Sequence, residues 1–382
     1  MTPAGGRSGH RSGARRGFTL IELMVALLVS SLLVGMILAI FSRMSLAYRG
    51  QQQVAGVQQV LAAARATIEL DAKQAGLGIP QGFKTAMTGA TMQSPVKISD
   101  SNVAPDKLTL FYADTSTQGV VQSGNPNAAP TVTLADPATG FTPSMLVVLT
   151  TASTAASPGH PNDPYLAQYQ ACVLRIAAGG VSGNVLTFEN VAPWGPTASA
   201  GCTVTPAVTM VYPLVAHAYR IDTTSPARAA LGALQVSYTG GLLGGAEVYT
   251  DLAYGFSDIQ TAVRVLDPTG IDLDGDTDPA RNWYSGAAQA GATAIPPTSP
   301  AGSTLLGISI SLVAHTDRDV EGIATTQTPS LTGANPDNNS LGDRPSTVLP
   351  TTQPWPDPLL PGLRIYRYTT FQVDFRNLGV GQ

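Results

Sequence analysis

Charge is what this sequence has least of. Asp, Glu, Lys and Arg make up 12% of its 382 residues, about half the usual share. Neutral polar residues must therefore cover most of any folded surface. Glutamate is scarcer still. Only Glu22, Glu69, Glu189, Glu247 and Glu321 interrupt an acid set that is otherwise all Asp. Asp suits turns, caps and oxygen-ligand sites better than helix faces. A formal net charge of −4 excludes binding by bulk attraction to phosphate, so no nucleic-acid partner is expected. Histidine is confined to His10, His160, His217 and His315, each isolated from the others. There is no His-Glu-x-x-His pattern, no Gly-x-Ser-x-Gly elbow and no phosphate loop. The expectation is a protein that is not an enzyme and has no organic cofactor. Cys172 and Cys202, the only cysteines, are too few and too far apart for a metal-binding set.

What is abundant points elsewhere. Hydrophobic residues are 43% of the chain, enough for a substantial core. The 39 Gly and 29 Pro predict many turns between short elements. The length fits one large domain or two ordinary ones.

The N-terminus differs from the rest. Residues 1–17 carry Arg7, Arg11, Arg15 and Arg16 and no acid. Residues 18–41 then hold a single ionisable group, Glu22. As a helix this run would be about 36 Å long, enough to cross a hydrocarbon core of about 30 Å. The basic flank predicts a cytoplasmic N-terminus. A secretory signal peptide fits poorly, because its apolar region is shorter and is followed by a small-residue cleavage site. Here Gly17 precedes the run. A carboxyl in such a span is costly and marks a functional position, unless it merely snorkels to the headgroups and complements the helix dipole.

Arg15-Arg16-Gly17-Phe18-Thr19-Leu20-Ile21-Glu22-Leu23-Met24-Val25 resembles the processing site of type IV prepilins and pseudopilins. The resemblance implies cleavage between Gly17 and Phe18 by a prepilin peptidase, with Phe18 methylated as the first mature residue. Glu22 would then be the family's assembly glutamate, which neutralises the N-terminal amine of a neighbouring subunit. Removal of the leader's four arginines would change the formal charge from −4 to −8.

Beyond the span, Val54, Val57, Leu61, Ala64, Ile68, Ala72 and Ala75 recur at steps of three and four. They predict that the helix continues as an amphipathic half. The sequence Gly76-Leu77-Gly78-Ile79-Pro80 supplies a stop. After Pro80 the apolar period becomes two. Strands are expected over 107–112, 131–134, 145–150, 171–176, 184–188, 208–212, 233–238, 247–252, 304–315 and 363–376. The fold class is therefore α+β. A long N-terminal helix, 18–79, has a membrane-spanning first half and an amphipathic second half, and packs on an antiparallel β-sheet domain, 80–382. Irregular stretches are expected at 285–303 and 316–362, either mobile insertion or ordered binding loop.

Three later segments are similar to the PilW-type minor pilins: Tyr48-Arg49-Gly50 followed by a Gln-rich helix, Gly255-Phe256-Ser257-Asp258-Ile259-Gln260, and the ending from Tyr366 to Asn377. The resemblance implies a minor pilin of the assembly-initiating tip complex. Its partners would be other minor pilins and the major pilin, a PilY-type tip adhesin, the prepilin peptidase and the inner-membrane assembly platform. It would lie in the bacterial inner membrane before assembly and on the pilus afterwards. A type II secretion pseudopilin and a membrane-tethered calcium-dependent adhesin are the alternatives. Residues 80–245 match no pattern of that group.

Two further sites are expected. Asp272, Asp274, Asp276 and Asp278 alternate around Gly275, a spacing that suits Ca²⁺ or a solvated acidic turn. It is not an EF-hand, since Trp283 stands where the bidentate Glu belongs. Exported to an oxidising compartment, Cys172 and Cys202 are expected to pair, the alternative being two buried thiols. Closing that loop would stabilise the fold by roughly 3–4 kcal/mol. His217 and His315 fall within strand-like runs and read as satisfied polar residues.

Overall fold

The computed structural model describes residues 18–79, 83–85, 92–99, 105–126, 129–151, 170–189, 204–223, 231–243, 246–266, 281–284, 304–318, 320 and 364–375. Its first element is helix α1, Leu20–Gln74, of 55 residues. At 1.5 Å per residue it extends about 80 Å. The chain divides into two compact units, Met1–Gln52 and Gln53–Gln382. In the first, large apolar side chains from Phe18 to Tyr48 are exposed. By length and composition this helix can cross a membrane.

In the second unit α1 is amphipathic. Val57, Leu61, Ala64, Ile68 and Ala72 are buried on one stripe, as the periodicity predicts, and Asp71 is buried with them. The opposite face carries Glu69 between Arg65, at 3.2 Å, and Lys73, at 2.7 Å. Pairs so exposed contribute only about 0.3–0.5 kcal/mol each. The helix ends where the sequence places a stop. Gly76 and Gly78 have φ of 80° and 74°, a region that favours glycine. The Gly76 N–H donates to Phe111 O and the Ala113 N–H to Leu77 O, so the exit is held to the sheet.

Sixteen strands follow among the described residues. They are β1 (Phe83–Thr85), β2 (Met92–Gln93), β3 (Val96–Ser99), β4 (Lys107–Ala113), β5 (Gly119–Gly124), β6 (Thr131–Leu134), β7 (Leu146–Thr151) and β8 (Gln170–Ser182). Then come β9 (Val185–Phe188), β10 (Thr209–Asp222), β11 (Ala233–Ser237), β12 (Thr250–Tyr254), β13 (Phe256–Leu266), β14 (Arg281–Tyr284), β15 (Thr304–His315) and β16 (Tyr366–Asp374). Almost every pairing is antiparallel, as expected. The short β1 lies parallel to β8, with Lys84 opposite Cys172.

The long strand β10 organises the larger sheet. Its C-terminal part pairs with β4 and β11, and β3 and β12 extend that layer. Its N-terminal part pairs with β7 and β5. From there the ladder runs β5, β6, β9, β8, β7 and back to β10. It thus closes into a six-stranded barrel, which leaves no unpaired edge within the ring. The barrel interior is apolar, with Val121, Val132, Leu149, Leu174, Leu186 and Val211 each at most 2% exposed. The second sheet has the order β14-β13-β15-β16.

One residue carries the chain from the first sheet to the second. Gly255, with φ of 86°, separates β12 from β13. Its N–H donates to Leu231 O and its carbonyl accepts from the His315 N–H. Beside it Gly232 has φ of 55°, and a Cβ there would meet Phe256 O at 1.9 Å. Asp106 fastens the sheets again. Its Oδ2 accepts the Thr261 N–H at 2.8 Å and hydroxyl at 3.0 Å.

Helix and sheets share one core. Leu61, Ile68 and Ala72 cluster with Leu108, Leu110 and Tyr219 of the first sheet and with Ile308, Ile310, Phe371 and Val373 of the second. Residues 285–303 lie outside the described residues, as do 316–362 apart from 316–318 and 320. Because Ile68 is fully buried at this junction, Ile68→Ala should destabilise the chain by roughly 2–5 kcal/mol. Denaturant unfolding of the detergent-solubilised chain, followed by circular dichroism, checks this. A change below 1 kcal/mol (about one CH₂ of burial) would contradict the packing.

Candidate functional site

The expected processing site begins just before the helix. Gly17 lies outside the described residues, and Phe18 is 89% exposed. Thr19 and Glu22 form a reciprocal cap. The Glu22 N–H donates to Thr19 Oγ1 at 3.3 Å, and Glu22 Oε2 accepts the Thr19 N–H at 3.0 Å and hydroxyl at 2.9 Å. This is a capping box, which satisfies orphan donors of the first turn. The carboxylate thus sits at the positive end of the helix dipole. In the single chain Glu22 starts the helix and remains exposed, with lone pairs left to receive a cationic group.

A second cluster lies at the other end of α1. Asp71 is 6% exposed. Its Oδ1 accepts the Tyr112 hydroxyl at 2.8 Å, and its Oδ2 faces His217 Nδ1 at 2.6 Å. The Tyr219 hydroxyl also donates to Oδ2. Burial opposes ionisation of Asp71, but the hydrogen bonds from His217, Tyr219 and Tyr112 outweigh it and hold the carboxyl below its ordinary value. Both tyrosines are pushed well above the usual phenol range, first by burial and then by the adjacent carboxylate. The sequence expectation that His217 is a satisfied strand histidine agrees with this geometry. Asp71 is absent from the sequence reading. Its signal was position: three residues after Ile68 and four before Ala75, it falls on the apolar stripe. An acid there requires partners from another element.

A half-buried ion pair joins β4 to the segment before β12. Lys107 meets Glu247, and the Tyr249 hydroxyl donates to the same carboxylate at 2.7 Å. Arg220 stacks 3.7 Å from the centre of the Tyr249 ring. His315 Nδ1 lies 2.8 Å from Thr316 O.

The remaining expected sites are only partly placed. Asp272, Asp274, Asp276 and Asp278 lie outside the described residues. Among the described residues no group of three or more His, Cys, Asp or Glu is placed to hold a metal ion. Cys172 is buried on β8 and is not a free thiol. Cys202 lies outside the described residues. Arg367 lies on β16, at the end of the second sheet's strand order, and donates to Tyr366 O at 2.9 Å.

Comparison with known proteins bears on the N-terminus. Residues 13–38 match the family described as the prokaryotic N-terminal methylation motif. The matched segment contains Gly17, Phe18 and Glu22, so the chain carries this motif across the expected processing site and most of the apolar run. No curated protein matches the chain. Among solved structures, the chain is similar to a type IV-like pilin from Thermus thermophilus at 13% identity and a TM-score of 0.33, with 83% of this chain and 96% of that one covered.

Asp71→Asn removes the charge that three donors converge on, and should cost roughly 2–4 kcal/mol at pH 7. A carboxyl whose pKa is depressed on folding contributes stability that is full above its unfolded value, about 4. That stability is lost as pH falls through the folded value. The gap between the native chain and Asp71→Asn should therefore shrink below pH 4. Chemical denaturation of both chains from pH 7 to pH 3 checks this. A gap that stays constant or widens would contradict the assignment.

Proposed function

We propose that this chain is a minor pilin of a type IV pilus. The observation that carries the reading is the methylation motif, set on an apolar helix that begins with the Thr19–Glu22 cap. In this reading the chain enters the inner membrane with its N-terminus in the cytoplasm. The prepilin peptidase cuts between Gly17 and Phe18 and Phe18 is methylated. The chain then leaves the lipid for the filament. The large side chains exposed between Phe18 and Tyr48 require an apolar surrounding before and after that step, first acyl chains and then neighbouring helices.

Glu22 supplies axial register. An exposed carboxylate at a helix start becomes a buried one once helices bundle, and its Thr19 hydrogen bonds leave oxygen lone pairs for a neighbour's N-terminal ammonium. Either charge left alone in that setting would cost several kcal/mol. Wrong axial offsets are thereby disfavoured.

The finer assignment extends this proposal. The chain joins other minor pilins and the major pilin, starts assembly on the inner-membrane platform, and presents a PilY-type adhesin at the tip. It performs no catalysis, and the Asp272–Asp278 segment would take calcium. The resemblance of the Gly255–Gln260 and Tyr366–Asn377 segments to PilW-type minor pilins supports it.

Deletion of the gene should abolish surface pili and leave exoprotein secretion intact. Loss of secretion with normal piliation would favour a type II pseudopilin. Glu22→Val should still be cleaved yet be strongly depleted from sheared filaments on immunoblot. Incorporation equal to the native chain would contradict the register role.

A further inference from the structure

The Asp71 cluster forms the floor of a half-open cavity of about 380 Å³, in the range of small-ligand sites. Ala66, Thr67 and Leu70 of α1 line one wall, and Val236, Tyr238 and Leu252 the other. Leu70, Tyr238 and Leu252 are 59%, 58% and 41% exposed, so the rim is apolar and open. The cavity lies wholly within the second unit. The N-terminal role proposed above does not draw on it.

The floor decides the chemistry. His217 lines the cavity and its side chain is 21% exposed. Its Nδ1 faces the Asp71 carboxylate. An ionised carboxylate only accepts, so the ring proton belongs on Nδ1. In the neutral imidazole Nε2 is then an acceptor, and no hydrogen bond from the described residues reaches it. The polar groups of Asp71, Tyr219 and Thr67 in the wall are engaged. Both Asp71 oxygens accept from Tyr112, Tyr219 and His217, and the Thr67 hydroxyl donates to Ala63 O at 3.1 Å. Among the described residues no Lys or Arg lines the cavity, so an anion would meet no counter-charge there. A cation would find the carboxylate buried and already accepting three hydrogen bonds. Tyr238 stands edge-on to His217, with ring centroids 5.2 Å apart and planes at 81°, a geometry that aromatic groups extend readily.

We propose that this cavity binds a single aromatic group bearing one hydrogen-bond donor, a phenol or an indole. The donor would sit on His217 Nε2, with the ring between Leu70, Tyr238 and Leu252. Such a group could arrive as a free small molecule or as a Tyr or Trp side chain of another protein.

Imidazole NMR of the histidine-labelled full chain in detergent micelles tests this, with p-cresol as the probe and His217→Asn assigning the signal. p-Cresol should shift the His217 resonance saturably. Toluene, which keeps the ring and lacks the donor, should bind about tenfold more weakly, the worth of one hydrogen bond. Thr67→Trp fills the cavity from an exposed helix position away from the Asp71 hydrogen bonds. It should weaken p-cresol binding at least about tenfold at the same micelle concentration, while leaving the other histidine signals in place. N-acetyl-tyrosine methylamide separates the two sources. Binding equal to p-cresol supports a partner's side chain, and binding by p-cresol alone supports a free small molecule. The proposal is overturned if p-cresol produces no saturable shift, if toluene binds equally well, or if Thr67→Trp leaves binding unchanged.

Discussion

Ile68 and Ala72 on α1, and Ala75 just past its end, are fully buried, and their cluster draws side chains from both sheets. Two antiparallel sheets of this size each present an apolar face that must be covered. Here one helical stripe serves both, which is why the stripe is narrow and rich in alanine toward its end. Small side chains let the strands approach α1 closely. The same arrangement explains Asp71. It is the one charge on the stripe, and Tyr112, His217 and Tyr219 reach it from β4 and β10. The Gly76–Gly78 exit and the Gly255 crossing then follow as turns that the two-sided packing requires.

The helix therefore has two solvents written into one sequence. From Val57 onward its apolar side chains are met by strands of the same chain. From Phe18 to Tyr48 the large ones are exposed among the described residues, and a run of large exposed aliphatic side chains is not stable in water. By length and composition this run can lie in a membrane interior instead.

How much of this was legible depended on whether the signal was local. The helix, its buried stripe and its glycine stop were readable because a period of 3.6 and a Gly-x-Gly break lie in contiguous residues. Strands β6 and β15 were placed to the residue, and β4, β7 and β9 nearly so. The length of β10 was hidden by Pro213, which reads as a strand terminator. It is tolerated here because it falls where the pairing partners change from β7 to β4. Strand β5 was missed because Gly119 and Gly124 bracket only four other residues. The closure of the barrel has no local signature at all, since it depends on β10 meeting both β5 and β7. Among candidate residues, those of the methylation motif were legible because they lie in one contiguous stretch. The Asp71 cluster was not, because its members are separated by 41 and 148 positions along the chain.

The central claim is that the apolar half of α1 begins at a processed end, so that Phe18 and not Met1 starts the functional chain. Tandem mass spectrometry of the N-terminal peptide, taken from native membranes and from sheared surface filaments, tests it most directly. The account predicts a peptide beginning with N-methylated Phe18 and retaining Glu22. An intact Arg15-Arg16-Gly17 junction, or cleavage beyond the apolar run, would contradict it.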